Sequence, residues 1–593
     1  MPTLAAPQTV YAYNLDKQLT QVTRPDGQLV KFNYGASTGR LESLTTPLGT
    51  QTLSYDEKGR LVTTTTPDNQ TLSYTYDGSL PLSETWEGTV AGSLSLEYNN
   101  DFRVKSASVN GGPTVTYQYD ADGLLMGAGE ISLTRNAATG FLTGTQLGNV
   151  TTQRTYNTFG ELASETASYQ ENILSQVQYT RDKLGRIVQK EETSEGVTTT
   201  VEYNYDLAGR LVEVKQDGVV IENYEYDANG NRVQALTSSQ GMVTGSYDDQ
   251  DRLLEYGGNT YTYTANGELL TKTSNEQTTA YHYDVLGNLR KVQLPEKTIE
   301  YVIDGRNRRI GKKVNGTLVQ GFLYQGSLKP VAELDGNGNV VARFVYRSKA
   351  NVPDYLVKDG KIYRLISDHL GSPRLVVDLS DGSVVQRIDY DAFGNVMGDT
   401  NPNFQPFGFA GGLYDSETTL VRFGARDYDA EIGGWTSKDP IGFNGSNVNL
   451  YGYVLGDPIN LIDPSGLRDG GQWGGEVENH TDHDLLIWNW DQRKLIVLPP
   501  NGFSEPSEDT DYVIDVNDNG SLKITKVRNW NLTTIEQDGT VMVKMGNNPW
   551  PLYTPLPPRP PTNQERKQLD KHIKQSGSMP LLLDFVENRC MEK

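Results

Sequence analysis

The chain has 593 residues, 36% of them hydrophobic, and a formal net charge of -22. That charge argues against a general phosphate-binding surface, because nucleic-acid-binding proteins carry a basic field. The single cysteine, Cys590, rules out an intrachain disulfide framework and reads as an incidental tail residue, so strands and packing must hold the fold. The 60 glycines and 34 tyrosines, set in short Tyr/Thr/Val runs broken by Gly, Asp and Asn, favour strands and turns and predict an all-β protein.

The N-terminus, MPTLAAPQTVYAYNLDK, has neither a positive n-region nor an apolar h-region, so it is not a Sec signal peptide. No window reaches the roughly 18 apolar residues that span a bilayer. Any export is therefore expected without a Sec signal. The opening YAYNLDKQLTQVTRPDG already reads as a repeat unit, as expected of a piece of a longer array.

One phrase then recurs: aromatic-x-Tyr-Asp, two residues, Gly, a polar residue and an apolar one. It appears as YDEKGRL at Tyr55, YQYDADGLL at Tyr117, YNYDLAGRL at Tyr203, YEYDANGNRV at Tyr224 and YHYDVLGNLRKV at Tyr281. Weaker copies begin at Tyr74, Tyr156, Tyr179, Tyr247 and Tyr261. The two tyrosines alternate with period 2, so both rings face one side of a strand. The Asp can accept from backbone amides two residues on and start a turn. The Gly can take positive φ without steric cost. Each unit is thus a hairpin of about 20 residues that cannot bury its own face, so neighbours must pair into a long, curling antiparallel sheet. The repeated aspartates are turn makers on this reading, not catalytic acids.

Further on come SDHLGSPRLV, containing Asp368 and His369, and IDYDAFGNV, from Ile388 to Val396. With the Tyr-Asp phrases, they resemble the YD repeats and end-of-core signature of the Rhs family, which includes the C components of insecticidal Tc toxins. The resemblance runs from about residue 10 to 467. It implies that the sheet spirals into a hollow shell enclosing a toxin; composition and spacing support only a large curled repeat sheet. His369 reads as a hydrogen-bonded turn residue.

The segment DPIGFNGSNVNLYGYVLGDPINLIDPSGL opens with Asp439-Pro and closes with Asp463-Pro-Ser-Gly-Leu467. Between them NLYGYV reads as a strand, which would let the chain run out and back and bring the two turns together. Two carboxylates in contact cannot both ionise cheaply, so one can act as acid while the other activates water. On spacing alone, Asp-Pro-x-Gly is an ordinary turn and two of them establish nothing. The Rhs resemblance implies more: Asp439 and Asp463 as an aspartyl self-cleavage dyad and Leu467–Arg468 as the scissile bond. Lys438 precedes the first aspartate where some relatives carry Arg, and is a candidate assisting residue that lacks the planar fork. Asp457 in GDPIN reads as a turn. In RFGARDYDAEIGGWTSKDP, Arg422, Arg426 and Trp435 are expected to pack or pair structurally.

Beyond Leu467 the composition changes. Five of the seven Trp lie there, and the Tyr-Asp phrase disappears. Residues 468–518 hold 3 basic against 12 acidic side chains, and residues 519–593 hold 11 against 7. Strand-like runs are DLLIWNWD, KLIVLPP, YVIDV, SLKITKV and GTVMVKM; a Pro-rich linker at 548–562 and a helical tail follow. The chain therefore divides into a repeat shell (1–396), a core-associated end with the cleavage motif (397–467) and a small mixed β/α effector segment (468–593). HTDHD, from His480 to Asp484, offers His-x-x-His metal spacing, but reads first as a solvated acidic loop. His572 among lysines reads as a solvated helix face before a nucleic-acid contact. No nucleophile elbow, P-loop, CxxC or nucleotide fingerprint occurs, and no metal or cofactor is implied.

The leading functional reading is a self-cleaving toxin that encapsulates and releases its C-terminal effector, of unread activity, with nuclease a candidate. The family would add an immunity protein, and a secretion spike or chaperone, or a Tc-type B component completing a shell for which 467 residues look short. The alternative is a non-enzymatic YD-repeat surface protein that binds carbohydrate or protein partners.

Overall fold

The computed structural model describes residues 8–467, except 122, 238–240 and 446, and the backbone of seven strands between Glu476 and Met545. The chain separates into two compact units, Met1–Asp469 and Gly470–Lys593.

The Tyr-Asp phrase builds one kind of hairpin end. In the turn after strand Val197–Tyr205, Asp206 Oδ1 accepts from the amides of Ala208 and Arg210, both at 2.9 Å. Asp206 Oδ2 pairs with Arg210 Nε at 2.7 Å. Gly209 takes φ +88° and donates its N–H to the Asp206 carbonyl at 3.0 Å. The register slips by one residue at Tyr205, the bulge that follows such a turn. The Arg210 guanidinium then lies 4.9 Å from the ring centre of Tyr226 in the next hairpin, and Tyr226 donates its hydroxyl to the Leu211 carbonyl at 2.9 Å. The same linkage recurs in Asp56–Arg60–Tyr76 and Asp182–Arg186–Tyr205. One phrase therefore caps its own turn and clamps its neighbour.

The opposite hairpin ends are tight turns such as Asp217-Gly218 and Asn315-Gly316, with both residues at positive φ, the two-residue loops whose twist matches paired strands. Among the described residues of the first unit, 38 strands join into one sheet, each antiparallel to its neighbour in sequence. Strand direction alternates, so Tyr-Asp turns line one edge of the ribbon and tight turns the other.

The ribbon coils onto itself. Arg24 pairs with Glu268 at 2.6 Å, Glu84 with Arg308 at 2.5 Å and Glu195 with Arg387 at 2.9 Å, and Arg364 donates to Thr145 Oγ1 at 3.2 Å. These contacts span 244, 224, 192 and 219 residues, in the same order along both coils. The tight-turn edge of the first coil thus seats on the second.

Segment 400–467 then runs back across the strands. Asp415 pairs with Lys312, Tyr283 donates to Thr436, Tyr451 donates to the Gly267 carbonyl, Asn449 donates to Asn231, and Asn460 donates to the Tyr205 hydroxyl. Its Leu420, Ile432 and Ile459 cover the buried tyrosines 203, 224, 256, 261, 281 and 301. Such burial is worth about 25 cal/mol per Å² of apolar surface, so the tyrosine face and its cover fix each other. A small sheet, Leu413–Asp415, Leu420–Phe423, Arg426–Asp429 and Gly434–Trp435, carries the chain that leads into Asp439.

In the second unit, Glu476–His480 runs parallel to Asn531–Glu536, which pairs with Val541–Met545. A second sheet is ordered Lys494–Leu498, Leu485–Asn489, Thr510–Val516, Leu522–Lys526. Five of these seven strands lie on the expected runs; Glu476–His480 and Asn531–Glu536 were not anticipated. The rest of the HTDHD motif, the 548–562 linker, the tail with His572 and Cys590 lie outside the described residues.

Candidate active site

Both Asp-Pro turns form as local geometry dictates. Asp439 Oδ1 accepts from the Ile441 amide at 2.9 Å, and Gly442 N–H returns to the Asp439 carbonyl at 3.0 Å. Asp463 Oδ1 accepts from Ser465 Oγ at 2.9 Å and from the Leu467 amide at 3.2 Å. Each aspartate is thus a turn cap with its other oxygen left for tertiary contact.

Those other oxygens meet at Arg426. Its Nη2 lies 2.9 Å from Asp439 Oδ2 and 3.3 Å from Asp463 Oδ2, so one nitrogen touches both carboxylates. Its Nε donates to the Gly466 carbonyl, and its guanidinium lies 4.1 Å from the ring centre of Trp435. All three charged groups are buried. Beneath them pack the rings of Phe423, Tyr428, Trp435 and Tyr453. Arg426 is therefore the cation of this centre, a role its sequence context did not disclose. Lys438 points elsewhere: it lies against Gly267 in the field of Glu268 and Arg24, and among the described residues it makes no ion pair with either aspartate.

The strand expected at NLYGYV does not form. Val454 and Leu455 take positive φ, and the Asn447 and Asn449 side chains accept from nearby amides. What joins the turns is Asp439 N–H donating to the Leu450 carbonyl at 3.0 Å and Ala425 N–H to the Ser465 carbonyl at 2.8 Å. Asp457 caps a turn by accepting from Asn460, as its motif suggested. His369 also has a structural position: one ring nitrogen bonds the Tyr179 hydroxyl and the other the Ile459 carbonyl, and burial pushes its pKa down to about 4.

The Leu467 carbonyl lies beside the dyad. A Cβ built on Gly445 would stand 2.7 Å from Asp439 Oδ2 and 3.0 Å from the Leu467 carbonyl oxygen, so carboxylate and carbonyl border one small space that glycine keeps open. Burial pushes Asp439 up to about 6; Arg426 and the Ile441 amide oppose that rise, and Asp463 adds to it. A buried acid near neutrality beside a second carboxylate is the arrangement that separates acid from base. Arg468 lies outside the described residues.

Comparison with known proteins matches residues 2–459 to the Teneurin YD-shell family. The chain belongs to that family. Teneurin-4 of Homo sapiens is 28% identical over 475 residues, 76% of this YD-shell chain and 16% of that protein. The tRNA3(Ser)-specific nuclease WapA of Bacillus spizizenii is 30% identical over 270 residues, 43% of this chain and 11% of WapA. The YD-shell chain thus spans less than a fifth of these curated relatives. Among solved structures, TcdB2-TccC3-Cdc42 shares the fold at TM-score 0.60 and 16% identity, covering 78% of this chain and 28% of that one. TcdB2-TccC3 without its hypervariable C-terminal region does so at TM-score 0.53 and 17% identity, covering 77% and 28%. The all-β fold and the Rhs/YD-repeat kinship are both borne out.

Proposed function

We propose that this YD-shell protein cuts itself after Leu467 and frees its C-terminal segment as an effector. The observation that carries this reading is the convergence of Asp439 and Asp463 on one Arg426 nitrogen, with the Leu467 carbonyl beside Asp439. Protonated Asp439 gives its proton to the Leu467 carbonyl oxygen. Ionised Asp463 takes a proton from the attacking water. The C–N bond to Arg468 then breaks, its nitrogen leaves with a proton, and Leu467 keeps a carboxyl group. Arg426 balances the negative charge that the pair shares through these steps.

Nuclease is the first activity to assay in the released segment, because WapA, a relative over 270 residues, is named for one, and delivery to a target cell with a second shell component completes the proposal. An immunity protein would protect the producer. No helix among the described residues is long and apolar enough to cross a membrane. The test is intact mass under denaturing conditions: the unaltered chain should give two species meeting at Leu467–Arg468, and Asp439→Asn and Asp463→Asn should each give one. Equal cutting in both variants would sink the dyad. Expression of residues 468–593 inside bacteria should arrest growth; normal growth would mean the segment is not an effector.

A further inference from the structure

One carbonyl joins the aspartate pair to the repeat array. The Leu450 carbonyl accepts from the Asp439 amide at 3.0 Å and from Arg426 Nη1 at 3.3 Å, so it holds both the first aspartate and the arginine that touches the two. Each neighbour of Leu450 is tied to a different Tyr-Asp turn. On one side, Asn449 Nδ2 donates to Asn231 Oδ1, in turn 227–231, at 2.7 Å. The Asn231 amide cannot turn over: its Nδ2 donates to Asp227 at 2.9 Å and to Asp251 at 2.8 Å, and its Oδ1 is left to face Asn449. Asn449 is fixed in the same way, because its Oδ1 accepts from the Tyr451 amide at 2.9 Å. Asn231 and Asn449 are both buried. On the other side, Tyr451 donates its hydroxyl to the Gly267 carbonyl, in turn 264–268, at 2.7 Å, and its ring meets Tyr263 edge-on at 5.8 Å. The Tyr451 carbonyl accepts from the amide of Trp435, whose ring lies against Arg426.

We propose that Asn449 and Tyr451 are positioning residues through which the folded repeat array switches self-cleavage on, an inference that rests on Asp439 and Asp463 being the dyad. Both act through the Leu450 carbonyl and not on the reacting atoms. A misplaced carbonyl lets Asp439 and Arg426 shift, and small shifts of reacting groups cost rate steeply. The bonds to Asn231 and Gly267 span 218 and 184 residues, so the carbonyl is placed only once that stretch of the array has folded. Until then the chain stays uncut and its C-terminal segment stays attached.

The test is the time course of cutting by the refolded full chain, read as intact mass over a range of pH, for the unaltered chain, Y451F and N449A. Y451F keeps the ring and drops only the hydroxyl; N449A drops the donor to Asn231 and the acceptor for the Tyr451 amide. Both should slow cutting about 10- to 100-fold. Arg426 opposes the rise of the Asp439 pKa, so loosening it should also move the midpoint of the pH–rate profile upward. A purely structural defect lowers the amount cut and leaves that midpoint in place. Should N449A fail to fold by circular dichroism, Y451F supplies the reading. The inference alone is overturned if the unaltered chain cuts and the folded variants match its rate, or if they cut more slowly with the midpoint unmoved. An unaltered chain that never cuts overturns the dyad and this inference together, which tells the two failures apart.

Discussion

At the scale of single residues the centre turns on one buried acid, Asp439, whose Arg426 partner also touches Asp463. Asp439 is held at about 6 chiefly by burial. With its neutral form as the proposed proton donor, cleavage by a freshly refolded chain should be fastest below pH 6 and slow about tenfold per pH unit above it; a rate rising with pH would assign the acid elsewhere. Gly445 gives an independent handle. Its φ is not in the left-handed region, so Ala is tolerated by the backbone, yet the new methyl would enter the space between Asp439 and Leu467. Gly445→Ala should slow cutting about 10- to 100-fold, as misplacement of reacting groups does, with an unchanged circular dichroism spectrum. The pairing of the two aspartates was expected from the Rhs resemblance and not from their Asp-Pro turns alone. Arg426 was not: it stands among alternating charges in RDYD, and only the crossing of its strand with the closing turn shows which carboxylates it serves.

At the scale of the element, the Tyr-Asp hairpin is what the sequence states most openly. Asp, then Gly three residues on, specifies turn and bulge by local hydrogen bonding, so the pattern could be read without any tertiary knowledge. The tie from Arg210 to Tyr226 was less legible, because it joins two hairpins and leaves no mark within either. Asp206→Ala removes two amide bonds and the pairing to Arg210, and should cost about 1–2 kcal/mol in urea unfolding of the uncut Asp439→Asn chain. An unchanged midpoint would mean the turn is held by glycine alone. Asp56, Asp182, Asp206 and Asp248 all have pKa values held below 3.8, and for three of them it is bonds to Arg and backbone amides that outweigh burial, with the Arg60 amide the main cause at Asp56. Their stabilisation is complete above that value and is lost as pH falls through the lower folded values, so the array should weaken in strong acid, not near neutrality.

At the scale of the molecule, stability rests on contacts between residues some 200 positions apart, which no local pattern announces. Arg308 is fully enclosed, paired with Asp304 in its own turn and with Glu84 in the first coil. Arg308→Met leaves two buried carboxylates without their cation and should cost about 3–5 kcal/mol, read as earlier unfolding and new proteolytic cuts along the seam. The closing turn is held as firmly: Ser465 is bonded to Ala425, Gly466 to Arg426, and Leu467 back to Asp463. None of these bonds involves the chain beyond Leu467. A cut there would leave the new terminus seated in the cleft that made it, blocking a second turnover by product inhibition. Whatever the shell released would then meet a protease that had already spent itself, and would leave undigested.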